Sequence, residues 1–306
     1  MKKYLAFMVM LILAASIMSG CLLMVPDETK NVHSGNTGTT TETKKPGEDV
    51  VPTTQTTDPG EITVDEEVVY DQNQVRITVL ELREGWAGLE LKVCVENNSE
   101  KNIVFTGDNF IVNGITISGY AYIDVAAGKK SNETIDFYAD QLEAAGIDCI
   151  ATIEAPDAHI YDSDSYDELF ATPFSITTSA GADYRQTIRD EGDVIFSEAG
   201  IVVVAQKYTD SIWGPAVRLL VKNGTGKNVI ISAENISVND YTISAWLYDV
   251  IYKDTVRYCE LDIFNSGLEE NGIEKVEYIT FTLNIIEEGT FDRIVESGEL
   301  KVVVSE

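Results

Sequence analysis

The chain has 306 residues, 44% of them hydrophobic, and carries 51 acidic against 22 basic side chains, a net charge of −29. Such a surface repels phosphate backbones and anionic headgroups, which excludes nucleic-acid binding and a folded part lying flat on a membrane. The length suits about two domains, each large enough for its own core.

Lys2 and Lys3 precede an apolar run from Leu5 to Met18, and Ser19-Gly20-Cys21 follows. A basic start, a short apolar stretch and a small-residue cleavage site predict a secretory signal peptide over residues 1–20. Met18-Ser19-Gly20-Cys21 resembles the lipobox of bacterial lipoproteins. That resemblance implies lipidation of Cys21, whose thiolate would accept a diacylglyceryl group. Acyl chains of the palmitate kind, two or more together, hold a protein on a bilayer where one chain does not. The alternative is an uncleaved anchor, since Leu5 to Val25 stays mostly apolar over roughly the ~20 residues that span a bilayer. Either outcome places the remainder outside the cytoplasm.

Residues 21–62 read as a tether. Thr39-Thr40-Thr41 and Thr53-Thr54-Gln55-Thr56-Thr57 lie among Gly, Pro, Glu and Lys. Such a composition buries too little apolar surface to offset ordering entropy, so a disordered stalk is expected. Its end-to-end distance as a coil would be roughly 35 Å.

Beyond the tether the chain repeats itself at a shift of 126 residues. Val95, Asn97, Lys101, Asn102, Asn109, Val112, Asn113, Thr116, Ile117, Ser118 and Tyr122 meet identical residues in the second copy, eleven of the 33 positions from 91 to 123. Ordinary composition would give about two. A repeat of this length is a duplicated domain, over 63–180 and 181–306. Each copy alternates with period two. Leu89, Leu91, Val93 and Val95 predict a half-buried strand, matched by Val217, Leu219 and Val221. Asn113-Gly114, with Asn239-Asp240 at the same place, predicts a tight hairpin. One helical turn per copy ends at Gly146 and Gly272, where glycine takes the left-handed C-cap conformation. Later, Ile279, Phe281, Leu283 and Ile285 alternate again. Seven or so short strands per copy predict an all-β fold of two tandem immunoglobulin-like β-sandwiches, with closure into a small barrel as the other option.

The order of hairpin, aromatic strand, Leu-Glu-x-x-Gly-Ile turn (from Leu142 and from Leu268) and closing strands resembles the immunoglobulin-like repeats of Gram-positive, clostridial-type lipoproteins of unknown function. The likeness covers about three quarters of the chain. It implies the fold and a cell-surface location, and brings no catalytic residues with it.

Catalytic constellations are sparse. His159 is the one histidine in the duplicated part, and the 126-residue shift puts Ile285 opposite it. A lone strand histidine is more often structural than catalytic. Cys94, Cys149 and Cys259 have no counterpart cysteines in the other copy; a Cys94–Cys149 bridge is open, with unpaired thiols the simpler reading. No zinc spacing occurs. Asp162-Ser163-Asp164-Ser165-Tyr166-Asp167 has the carboxylates of a calcium loop, yet lacks its central Gly and closing Glu. A solvated turn is expected there, and no metal or cofactor.

Aromatics are the better binding clue. Tyr120 and Tyr122 stand two apart on one strand, and Trp246 and Tyr248 match them. Outward they would form a platform for a glycan or a protein; inward they would be core, the commoner fate of such rings. Trp86 and Trp213 read as packing residues. Together these features lead us to expect a non-enzymatic, envelope-anchored lipoprotein on the extracellular face of the cell membrane. Its two domains would serve protein contact or adhesion. Glycan or small-molecule binding through the four strand aromatics, or a structural spacer, are the alternatives.

Overall fold

A computed structural model describes residues 62–304, apart from Ala87 and Ala182. Cys21, the signal peptide and the tether lie outside the described residues.

The first copy contains β1 (Glu67–Gln72), β2 (Val75–Glu84), β3 (Gly88–Asn97), β4 (Ile103–Val112), β5 (Ile115–Val125), β6 (Lys129–Tyr138), α1 (Ala139–Ala145), β7 (Thr152–Ala155), β8 (His159–Asp162), β9 (Glu168–Ala171) and β10 (Phe174–Thr177). One antiparallel sheet runs β1-β2-β3-β6. In the other, β4 pairs with β5, β7 and β8, while β9 joins β8 and β10 joins β7. β5 belongs to both, because Gly119 and Tyr120 also pair with Phe137 and Asp136 of β6. Leaving out β1, and counting β7 with β8 and β9 with β10 as one interrupted strand each, this is the four-plus-three arrangement of an immunoglobulin-like sandwich, with β5 crossing from sheet to sheet.

The second copy repeats it with β11 (Asp193–Glu198), β12 (Ile201–Ser211), β13 (Gly214–Asn223), β14 (Val229–Val238), β15 (Tyr241–Thr242), β16 (Ala245–Trp246), β17 (Tyr248–Ile251), β18 (Val256–Ile263), α2 (Asn265–Glu270), β19 (Tyr278–Glu287), β20 (Arg293–Glu296) and β21 (Leu300–Val303). Here the crossing strand is broken into β15, β16 and β17. The bulge between Val79 and Glu81 recurs between Ala205 and Lys207. The hairpin residues Asn113 and Gly114 have φ of 51° and 82°, and Asn239 and Asp240 have 47° and 69°. Both short helices close alike: Ile147 N–H donates to Leu142 O and Ile273 N–H to Leu268 O, each at 2.9 Å.

Two asparagines explain much of the shared sequence. Asn97 Nδ2 donates to Lys101 O and Val125 O at 2.7 and 3.0 Å, and its Oδ1 accepts from Ser99 N–H. Asn223 does the same with Lys227 O, Ile251 O and Thr225 N–H. Both side chains are buried, where an unpaired amide or carbonyl would be costly. Asn113 and Asn239 likewise tie the hairpin to the segment after the helix, through Cys149 O and Ala151 N–H or Lys275 O and Glu277 N–H.

The shift of 126 does not hold throughout. From β8 to β9 the copies superpose at 125: Thr172 N–H donates to Ala158 O, and Ser297 N–H to Leu283 O. By β10 and β21 the pairing returns to 126, with Thr178 N–H on Ala151 O and Val304 N–H on Glu277 O. Pro156 lacks an N–H and interrupts the first copy's strand there, whereas β19 runs unbroken. The partner of His159 in the fold is therefore Asn284, not Ile285.

The copies are packed together. Val204, Leu220 and Tyr258 on the outer face of β12, β13 and β18 bury themselves in the first copy's core cluster. Val256 pairs in parallel with Ile115. Arg257, 3% exposed, donates to Asn109 Oδ1 and Ser118 Oγ of the first copy at 2.8 and 2.6 Å and pairs with Asp249 at 2.7 Å. The Thr116 and Thr255 hydroxyls meet at 2.7 Å.

Candidate functional site

The strand aromatics face water. On β5, Ala121, Ile123 and Val125 point inward and are buried, so Tyr120, Tyr122 and Asp124 point out. Tyr120 is 52% and Tyr122 42% exposed. In the second copy Leu247 is buried between Trp246 and Tyr248, themselves 58% and 49% exposed. Burial of these rings, the ordinary expectation, is overturned: the aliphatic Ala121, Ile123, Val125 and Leu247 take the inward phase and leave the rings on the outer face. Trp86 and Trp213 are corrected in the same way. Trp86 stands free at the tip of the β2–β3 hairpin, 98% exposed, and Trp213 occupies the matching tip at 49%.

The structure adds residues that the sequence reading passed over. Tyr138 follows Asp136 on the outer face of β6 and is exposed. Its phenol is pushed above the usual range by partial burial, then by Asp136 and Tyr120. Tyr166, with φ of 58°, sits on the turn between β8 and β9. A hydrogen bond with Tyr166, partial burial and Asp124 together push the Tyr122 phenol up to about 12. Phe291, at φ 63°, holds the place of Tyr166 in the second copy and is also exposed. There Trp246 and Tyr248 lie 6.1 Å apart, tilted by 34°, and Trp213 meets Phe264 edge-on at 6.3 Å.

Beside the rings stand carboxylates. Asp136 lies directly opposite Tyr120, and Asp262 directly opposite Trp246. Burial raises the Asp262 carboxyl above the ordinary range, against the pull of a Ser211 hydrogen bond. Across the other sheet, Tyr122, Thr106 and His159 form one row, and Tyr248, Ser232 and Asn284 the equivalent one. His159 Nδ1 lies 3.2 Å from Glu168 Oε1, with no nucleophile in the row but threonine and tyrosine hydroxyls.

The acidic turn is tied up internally. Asp162 Oδ2 accepts from Lys101 Nζ at 2.7 Å, and Oδ1 from the Asp164 and Ser165 N–H groups. That bonding makes a closed turn of it. Cys94, Cys149 and Cys259 are unpaired thiols. Among the described residues no helix is long and apolar enough to cross a membrane. A cleft of about 710 Å³ opens at the joint between the copies, lined in part by Asp157, Tyr252, Lys253 and Glu288. Burial and then Asp157 raise the Glu288 carboxyl.

No protein family's sequence profile matches the chain, and no curated protein does. Among solved structures it is similar to red sea bream transglutaminase, at 10% identity and a TM-score of 0.22, over 79% of this chain and 31% of that one. Nothing of that enzyme's chemistry is carried over. What the coordinates define is an all-β protein of two tandem immunoglobulin-like sandwiches, each with one short helix and an exposed aromatic face.

Proposed function

We propose that this protein is a non-enzymatic lipoprotein, held on the extracellular face of the cell membrane through Cys21, whose two domains make contact with proteins outside the cell. The observation that supports this reading is the outward placement of Tyr120 and Tyr122, repeated by Trp246 and Tyr248 in a second copy packed firmly on the first. Large rings held on strands lose little entropy on binding and supply much contact area. The tilted Trp246–Tyr248 pair would serve a glycan ring as well, which keeps sugar recognition as the second reading.

Cells displaying the full chain are compared with cells displaying it with Tyr120, Tyr122, Trp246 and Tyr248 all changed to Ala, for adherence to sister cells, extracellular proteins and wall glycans. Adherence to protein that the variant loses supports the proposal. Equal adherence by both, or loss confined to glycans, rejects it. Mass spectrometry of the mature protein checks the anchor: a diacylglyceryl group on an N-terminal Cys21 is expected, and an unmodified Met1 contradicts it.

A further inference from the structure

Two rings stand on strained backbone. Tyr166 and Phe291 have φ of 58° and 63°, and among the described residues no other aromatic side chain sits at positive φ. They hold one position, in the turn after β8 and in its counterpart after β19. The turn itself demands this conformation in both copies. Asp162 N–H donates to Asp167 O and Tyr166 N–H to Asp162 O, at 2.9 and 2.8 Å. Glu287 N–H donates to Asp292 O and Phe291 N–H to Glu287 O, at 2.8 and 2.9 Å. What the turn does not demand is a ring. Glycine or asparagine takes the left-handed conformation at less cost than a bulky residue, and this chain has asparagine at φ 51° and 47° in Asn113 and Asn239.

Packing does not offset the strain. Tyr166 is 59% and Phe291 57% exposed, so neither belongs to a core. Single exposed apolar residues are ordinary. Two at the same strained position, in turns that otherwise share only Asp167 and Asp292, are not. Strain of this kind persists where a surface is used. The Tyr166 phenol is hydrogen-bonded with that of Tyr122, which makes its ring continuous with the aromatic face of β5. Between the copies Tyr120, Tyr122 and Tyr166 become Trp246, Tyr248 and Phe291: every ring persists and two of the three hydroxyls do not. Recognition by ring faces calls for apolar groups opposite, whereas a sugar calls for placed hydrogen-bonding groups as well.

We infer that Tyr166 and Phe291 are the third rings of two equivalent three-ring contacts, kept at the expense of stability to meet aliphatic or aromatic side chains on the surface of a partner protein. This rests on reading the aromatic faces as contact surfaces. Asp124 and Asp136 beside the first set, and Asp262 beside the second, supply the polar rim that surrounds such a patch.

The test compares cells displaying the full chain with cells displaying it with Tyr166→Asn and Phe291→Asn together. Beads carry a leucine-serine peptide, a glycine-serine peptide of equal length, or wall glycan. Native cells are expected to adhere to the leucine-serine beads alone, and the double variant to adhere roughly tenfold less. The purified variant, relieved of strain, is expected to melt about 2–4 °C higher than the native chain. Tyr166→Phe keeps the ring face and is expected to adhere as the native chain does. The proposal is overturned if native cells ignore the leucine-serine beads, if the double variant adheres equally, if loss is confined to glycan, or if Tyr166→Phe abolishes adherence. A double variant that melts below the native chain overturns it too, since the rings would then be holding the turns. Adherence lost in the fourfold alanine variant but kept in the double variant refutes the third ring and leaves the contact surface standing; adherence kept in both refutes both.

Discussion

Arg257 of the second copy donates from Nη1 to the side-chain oxygen of Asn109 in the first, at 2.8 Å. The same guanidinium pairs with Asp249, whose carboxyl is pushed upward by burial and drawn back by Arg257. The joint between the copies is therefore a buried ionic and hydrogen-bonded lock set beside an apolar contact. Arg257→Met leaves Asp249, Asn109 and Ser118 without their donor. Breaking one side of a buried pair costs about 3–5 kcal/mol, so calorimetry should show a lower first transition and a split into two, where the unaltered protein gives one.

Asn97 and Asn223 each donate to two carbonyls from separate segments, Lys101 O and Val125 O in the first copy and Lys227 O and Ile251 O in the second. Asn97→Ala or Asn223→Ala should each lower stability by about 1–3 kcal/mol in denaturant unfolding. Aspartate in either place, equal in size but unable to donate from Nδ2, should be at least as harmful. An aspartate variant as stable as the native chain would show that these bonds do not hold the loops.

Glu288 titrates above the ordinary carboxylate range because of burial and then Asp157. A raised carboxyl favours the folded state when protonated and weighs against it once ionised, so its contribution declines as pH rises through the ordinary value and then the raised one. Glu288→Gln should therefore melt higher than the native chain at neutral pH. The difference should close below about pH 4. A gap that persisted in acid would point to packing instead.

Tyr122 ionises at about 12, chiefly through its hydrogen bond with Tyr166. Ultraviolet difference titration of the native chain against Tyr122→Phe should isolate that step. In a Tyr166→Phe background it should move down toward the ordinary tyrosine value of about 10.

The strands, the hairpins and the duplication were legible because burial of one sheet face imposes alternation on the sequence. The exposure of Tyr120 and Tyr122 was legible too, in a signal passed over: Asp124 follows in the same phase, while Ala121, Ile123 and Val125 share the opposite one. A charged residue in phase with two rings places them in water. The offset around His159 was hidden, since one extra residue near Pro156 is offset before β21 and the ends of the repeat still align without a gap.

The lock at Arg257 gives the two modules a plug and a socket. The plug, Val204, Leu220, Arg257 and Tyr258, corresponds in the first module to Thr78, Cys94, Ser131 and Asn132, which cannot replace it. The socket residues Asn109, Thr116 and Ser118 recur in the second as Asn235, Thr242 and Ser244, all exposed. The joint consequently has a direction: transposed in the gene, the same two modules would expose the plug and meet without a fastening.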